Sequence, residues 1–332
     1  MKRIEVSTPS TIDGLHLTEV AAPKPAPGEI LVKIGASTIN FHDWVVAAGF
    51  WPVTERRVPL SDGAGTVVEI GAGVTEFAVG DVVISTFFAD WIDGLPTPAN
   101  SARMRGDHVE GFASEFVALP AQAFTKAPAG FTEIEAAGLP CAALTAWRAL
   151  MIEGNIKAGE TVLIQGSGGV SVYALQFAKM AGAKVIAVSS SPDKMQRLLE
   201  LGADHAISYN EFPEWSKQVK LLTGGIGVDH VVEVVGNYTQ TLQSLRMGGV
   251  MYSIGMLTMQ PIAFSPADLM RNNVTIVGLS VGSRQHQQDM VRAIELNGFK
   301  PVVNKVFHFS EIAAAFRFQE SRAQFGKIGL SW

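Results

Sequence analysis

The stretch Thr161–Ser191, TVLIQGSGGVSVYALQFAKMAGAKVIAVSSS, leaves this chain little freedom of fold. Thr161–Gln165 is apolar and β-branched without alternation, as expected of a parallel strand covered on both faces. Gly166, Gly168 and Gly169 then crowd a turn, and Val170 opens a run in which Val170, Tyr173, Ala174, Phe177, Ala178 and Ala181 recur at helical spacing. Gly182 suits the helix end, and Lys184–Val188 reads as a second strand. Glycines between a strand and a helix N-terminus let a pyrophosphate approach the backbone, where free N–H groups and the helix dipole favour negative charge. The G-x-G-x-x-G pattern is incomplete, because Ser171 stands where its last glycine would fall. A turn of this kind can also belong to an α/β protein that binds nothing. The strand before it, the helix after it and a new strand about twenty residues on favour a dinucleotide.

Downstream, strands and helices keep alternating. His205–Ser208, Asp229–Val235, Val250–Ile254 and Val274–Ser280 are the further strand candidates, giving a six-stranded doubly wound sheet. The helix after Ser191 carries a serine N-cap, Pro192 in its first turn, apolar Met195, Leu198 and Leu199, and Gly202 beyond its end. The first third of the chain has a different texture. Ile30, Val32, Ile34, Ala36 and Thr38 alternate with other residues, and Gly65–Gly71, Asp81–Ser85 and Ser114–Leu119 are short strand-like runs between turn formers. Helical periodicity is scarce there, Phe87–Asp107 reads as one long loop, and Thr132–Glu153 turns helical. Past Arg284 come an amphipathic helix, a strand near Val302–Phe309, a helix capped by Ser310 and Glu311, and a last strand Lys327–Ser331; these return to the first domain. With 332 residues, the expected organisation is a β-rich domain from 1–126 and 284–332 and an α/β domain from 127–283.

The charge balance, 26 Lys+Arg against 31 Asp+Glu, contains no basic cluster interleaved with aromatics, so nucleic acid and anionic membranes are not the indicated partners. A lone cysteine, Cys141, excludes an internal disulfide and any cysteine-built zinc site and suits a reducing compartment. The segment MKRIEVSTPS has no apolar core like that of a signal peptide, and the expected location is the cytoplasm. At the end of the second strand, an NAD-preferring site would place an acid for the adenosine 2′-hydroxyl; here Ser189, Ser190 and Ser191 are followed by Lys194. Hydroxyls and a cation suit the 2′-phosphate of NADP(H), although Ser191 and Lys194 also fit a plain N-cap and a solvated lysine.

The chain resembles the zinc-type medium-chain dehydrogenase/reductases, in particular the branch with quinone oxidoreductase and zinc-independent alcohol dehydrogenase-like proteins. The residues carrying the resemblance are Asn40-Phe41-His42-Asp43, Ser61-Asp62-Gly63-Ala64-Gly65, Val79-Gly80-Asp81-Val82-Val83, Leu139-Pro140-Cys141 with Leu144-Thr145-Ala146-Trp147, the glycine turn, Gly202-Ala203-Asp204 and Phe325-Gly326-Lys327. It implies a GroES-like catalytic domain built on a distorted β-barrel and a Rossmann domain. By the same resemblance, Thr145 contacts the nicotinamide side, and Asn40 and Lys327 join the cofactor set. Tyr209, Gly236, Gly255 and Gly282 lie just beyond strand ends, where an open parallel sheet presents its ligand site.

Zinc-binding members hold the metal with Cys, His and a second Cys or Asp; the corresponding positions here are Asn40, Ser61 and Cys141, beside Asp62. Only Cys141 binds zinc strongly, Phe87–Asp107 lacks the four-cysteine structural lobe, and no metal is expected. Cys141 then packs as a small apolar residue. Without a metal, a donor or acid near the nicotinamide must polarise the substrate. His42 is the candidate, with a capping or packing histidine as the alternative; Asp43 reads as a loop anchor, and Asp62 as either catalytic or structural. Trp51, Phe87, Phe88, Trp91, Met256 and Leu257 are expected to wall an apolar pocket. The leading expectation is a zinc-independent NADPH-dependent oxidoreductase acting on an apolar carbonyl compound, quinone or activated alkene, assembled as a homodimer through the strand at 274–280. A zinc-type alcohol dehydrogenase and a cofactor-binding protein without turnover remain the alternatives.

Overall fold

The computed structural model describes residues 1–51, 53–255, 257–258 and 265–332. Its contacts divide the chain into two compact units, Met1–Leu144 with Val281–Trp332, and Thr145–Ser280. The sequence expectation placed the first boundary at 126/127. The helix Glu133–Ala137 instead packs on the strands Glu29–Ile39, Ala64–Ile70 and Lys327–Ser331. Thr66 Oγ1 donates to Glu133 Oε1 at 2.9 Å, and a Cβ on Gly35 would fall 1.7 Å from Glu133 Oε2. The return comes slightly earlier than 284, because Ser283 caps the helix Arg284–Asn297 and Arg284 N donates to Trp91 O at 2.9 Å.

The first unit is the GroES-like, β-rich one. Its seven-stranded sheet runs in the order Val303–His308, Lys327–Ser331, Glu29–Ile39, Ala64–Ile70, Val82–Ser85, Phe124–Lys126, with Phe116–Pro120 also paired to Glu29–Ile39. Neighbours are antiparallel except for the first pair. The alternating row Ile30, Val32 and Ile34 fills the interior with Val67, Phe77, Val83, Phe112 and Phe124. Period-2 patterning of this kind is what one covered face requires. Two features of this unit escaped the sequence reading. The chain after Ile39 forms a helix, Phe41–Ala47, too short for periodicity to register, and Phe87–Asp107 contains the helix Pro98–Ser101 and a bridge between Phe88 and Met104.

The second unit is a six-stranded parallel sheet in the order His205–Ser208, Lys184–Ser189, Thr161–Gln165, Val228–Glu233, Leu245–Ser253, Thr275–Gly278. Each strand pair is parallel, and the order reverses between Thr161–Gln165 and Val228–Glu233, the switch point at which such sheets take their ligand. Leu163, Ile186, Val188, Ile207, Val231 and Met251 lie in its core. The fourth strand ends at Glu233 rather than 235, because the Glu233 carboxylate takes the N–H groups of Val235 and Gly236 out of the ladder. The fifth begins at Leu245, five residues before the expected start, and crosses a register irregularity opposite Val228 and His230. The sixth is trimmed to Thr275–Gly278. The expected helix Thr132–Glu153 is broken into short pieces with π-helical turns at Leu139–Ala143 and Arg148–Glu153, the first carrying Pro140, which has no N–H to give a helical ladder. No described helix is long and apolar enough to cross a membrane.

Candidate active site

In the second unit, Gly166 adopts φ +71° and Gly168 caps the helix Gly169–Met180. A Cβ on either Gly166 or Gly168 would meet nothing within 4 Å, so the turn has open space above its backbone, while Gly169 and Val170 begin the helix. Ser171 substitutes for the missing glycine in a specific way. It is 2% exposed, and its hydroxyl donates to Gln165 O at 2.6 Å, tying the helix to the end of the preceding strand. The turn and the N-terminus of a 12-residue helix fit a dinucleotide pyrophosphate.

At the neighbouring strand end, Ser189 is buried within the strand and Ser191 Oγ accepts from Lys194 N at 3.4 Å, so neither faces a ligand freely. Ser190 and Lys194 are partly buried at the same strand end, with half-exposed Tyr209, whose N–H donates to Ser189 O. Burial and the neighbouring Arg197 hold the Lys194 pKa below the usual lysine range. Gly236 adopts φ +103°, and Gly255 is required where a Cβ would strike Val234 O at 2.3 Å. Thr145 is enclosed. Gly282, in the first unit, is buried with its Cα facing the Leu144 side chain, so packing rather than ligand approach accounts for it.

In the first unit, Asn40, Asp43, Ser61, Asp62 and Lys327 form one buried network. Asp43 accepts from Asn40 N at 2.8 Å and from Ser61 N at 2.7 Å, which fixes the entry to the helix Phe41–Ala47 and confirms Asp43 as an anchor. Asp62 Oδ2 accepts from Thr38 Oγ1 at 2.6 Å and from Asn40 Nδ2 at 2.7 Å. The Lys327 ammonium lies 3.3 Å from the same oxygen and donates to Ile39 O at 3.0 Å and to Asn40 Oδ1. Burial raises the Asp62 pKa, with Lys327 opposing it. Asp62 is fully enclosed, and the polar groups of Asn40 and Lys327 bond to each other and to Asp62, so three of the expected site residues meet in one cluster.

The zinc-binding enzymes that the chain resembles hold their metal at the matching positions, and the donors present here do not fit it. Asn40 and Ser61 replace two ligands, and burial pushes the Cys141 thiol well above its usual range, with Asp62 adding to the effect. No group of three His, Cys, Asp or Glu side chains suited to a metal occurs among the described residues. A cation is built into the cluster instead, the Lys327 ammonium at 3.3 Å from Asp62.

His42 adjoins that network through Asp43. Its Nδ1 lies 3.7 Å from Asp43 Oδ1 and its Nε2 3.5 Å from Asp107 Oδ2, while exposed His108 approaches the same Asp107 oxygen at 3.3 Å. Neither contact of His42 is a close hydrogen bond, and both ring nitrogens are shut off from solvent. Burial alone would lower its pKa; Asp107 and Asp43 outweigh that and raise it to about 9. The Asp107 carboxyl, which burial alone would raise, is held below its usual range chiefly by His42 and His108. Asp107 was not among the expected site residues, because nothing in a polar loop marks which acid folds back on a histidine 65 positions earlier in the sequence.

The His42 ring packs edge-on against Phe87 at 5.2 Å and Trp51 at 6.1 Å. Phe87 continues through Phe88 and Trp91 to His286. Phe87, Phe88 and Trp91 are all enclosed and form one packed aromatic row, whereas Trp51 is 43% exposed. Leu257 is exposed on the second unit, and Met256 lies outside the described residues.

Residues 26–129 match the alcohol dehydrogenase GroES-like domain and residues 169–296 the zinc-binding dehydrogenase domain. A zinc-type alcohol dehydrogenase-like protein of Schizosaccharomyces pombe is 38% identical over 97% of this chain and 96% of its own length. The chain belongs to the medium-chain dehydrogenase/reductase superfamily. It is therefore an oxidoreductase of a superfamily whose members bind a nicotinamide cofactor. Its fold matches the crystal structure of a putative alcohol dehydrogenase from Sinorhizobium meliloti at TM-score 0.93, with 37% identity and coverage of 100% of this chain and 99% of the other. An acryloyl-coenzyme A reductase of Metallosphaera sedula is 29% identical over 96% of both chains.

Proposed function

We propose that this protein is an NADPH-dependent, zinc-independent reductase whose acceptor is an activated alkene or a quinone rather than a simple ketone. The observation carrying this reading is the placement of His42, with both ring nitrogens enclosed against Asp43 and Asp107. Reduction of an isolated carbonyl develops charge on one oxygen, which needs a donor within hydrogen-bond reach or a Lewis acid. The imidazolium turns its protons to carboxylates, and the Asn40, Ser61 and Cys141 set is a poor match for zinc. A conjugated acceptor spreads the charge and takes its proton from water, so it asks least of these residues. Similarity to an acryloyl-coenzyme A reductase supports the alkene reading.

The cofactor supplies hydride. Gly166, Gly168 and the N-terminus of Gly169–Met180 would hold its pyrophosphate, and Ser190 with Lys194 its 2′-phosphate. Repulsion between Lys194 and Arg197 is relieved by a phosphate and would not be by a hydroxyl, which favours NADPH. The strand Thr275–Gly278 ends the sheet order, and pairing it with the same strand of a second copy gives a symmetric dimer. A cytoplasmic location accords with the single, reduced Cys141. The test is a turnover panel with NADPH over an enone, an α,β-unsaturated thioester, a quinone, a ketone and an aldehyde. Conjugated acceptors should exceed the ketone by at least about 100-fold in kcat/KM, and a ketone turned over as well as the enone refutes the proposal.

A further inference from the structure

At the switch point of the parallel sheet, the fully buried carboxylate of Glu233 is divided between two tasks. Its Oε2 is bonded from the side-chain direction: Gln165 Nε2 donates to it at 2.7 Å, and the Thr241 hydroxyl, itself receiving a Gln165 bond at 2.8 Å, donates to the same oxygen. Its Oε1 accepts the backbone N–H groups of Val235 at 2.8 Å and Gly236 at 2.7 Å. The Glu233 carbonyl takes Ile254 N at 3.0 Å and Gly255 N at 3.2 Å, and Val235 O takes Thr258 N at 3.0 Å. On the other side, Gln165 O receives the Ser171 hydroxyl of the helix behind the glycine turn. The loops after three adjacent strands, Thr161–Gln165, Val228–Glu233 and Leu245–Ser253, thus converge on this one acid at the ligand-bearing edge of the sheet.

We infer that Glu233 is a positioning residue for the cofactor, setting the Val235–Gly236 turn and registering it against the glycine turn. The inference rests on the reading that this unit binds a dinucleotide. All four side-chain contacts are donors, so the site calls for an acceptor on every face of the group. An amide in its place turns an NH2 toward either the turn N–H pair or the Gln165–Thr241 pair and breaks one of them. With the turn released, Gly236 has no reason to stay at φ +103°.

The test is Glu233→Gln in the full-length protein, titrated with NADPH by nicotinamide fluorescence. The Kd should rise about tenfold or more, as loss of a charge-assisted hydrogen bond implies, while kcat at saturating NADPH stays within a few-fold. Exchange of the Val235 and Gly236 amides, followed without cofactor, should be slow in the wild type and fast in the variant. Glu233→Asp, which keeps the charge but withdraws the oxygens by one methylene, should fall between the two and remains available if the amide variant does not fold. Val219→Ala, a buried deletion in the same unit's core, supplies the comparison: it should lower Tm without changing Kd. An unchanged Kd in the Glu233 variants, or a Kd that rises in Val219→Ala in proportion to its Tm loss, overturns the positioning role. A wild type that binds no dinucleotide refutes the cofactor reading and the inference together, and is recognised before any variant is compared.

Discussion

His42 gives the protein a stability that alkaline pH should remove. Its proton affinity rises from an ordinary pKa of 6.5 to about 9, because Asp107 and Asp43 hold the charged ring more strongly than burial disfavours it. A group whose folded-state pKa is raised stabilises the fold fully below its unfolded value and loses that contribution as pH climbs to the folded value, here from about 6.5 to about 9. At about 1.4 kcal/mol per tenfold in proton affinity, the step is worth at most about 3.5 kcal/mol. Unfolding in urea should therefore show the wild type losing about 2–3 kcal/mol between pH 6 and pH 10 beyond the change seen in His42→Asn. The variant should lack this step and be weaker at pH 6, since Asp43 and Asp107 lose their shared cation. Labelling the histidine Cε1 positions, with the His42 signal assigned by its absence in the variant, reads the titration directly. A His42 resonance titrating near pH 6.5, or wild-type and variant stabilities that run parallel, would show that the two carboxylates at 3.5 and 3.7 Å do not bind the proton as argued.

Lys194→Ala should weaken NADPH binding about tenfold or more and leave NADH nearly untouched, as read by fluorescence titration; equal losses for both would remove the 2′-phosphate assignment. Lys327→Met should cost about 3–5 kcal/mol in chemical denaturation, because it strands the Asp62 carboxyl and the Asn40 carbonyl in a site with no water access. Little loss would mean that the ammonium is not what satisfies them. Activity should survive chelation, and elemental analysis should find no stoichiometric zinc; one zinc per chain that leaves together with activity would overturn the donor-set argument. Light scattering at micromolar concentration should report twice the chain mass, and Ile276→Pro in the strand Thr275–Gly278 should shift it to the monomer.

The strands of the parallel sheet and the glycine turn were legible in the chain because each is a short-range property. An unalternated apolar run, a glycine with φ +71° and a helix stripe can all be read within about thirty residues. The motifs likewise picked out Asn40, Ser61 and Cys141 as the residues standing at the zinc-ligand positions of the enzymes the chain resembles. What each of these residues touches there was settled by distance in space. Lys327 meets Asp62 across 265 positions of sequence, a contact that no local pattern announces. His42 changed character in the same way, since only the folded loop brings Asp107 to its Nε2. The shared burial of Phe87, Phe88 and Trp91 likewise became visible only in the fold. Hydrophobic periodicity specifies which face of an element is covered, and the sequence by itself determined that much, along with the sheet and its dinucleotide turn. Which charged or polar group lies opposite another depends on how loops close between distant elements, a choice encoded in no local pattern, and so the tertiary structure alone decided the partners of His42, Asp62 and Glu233.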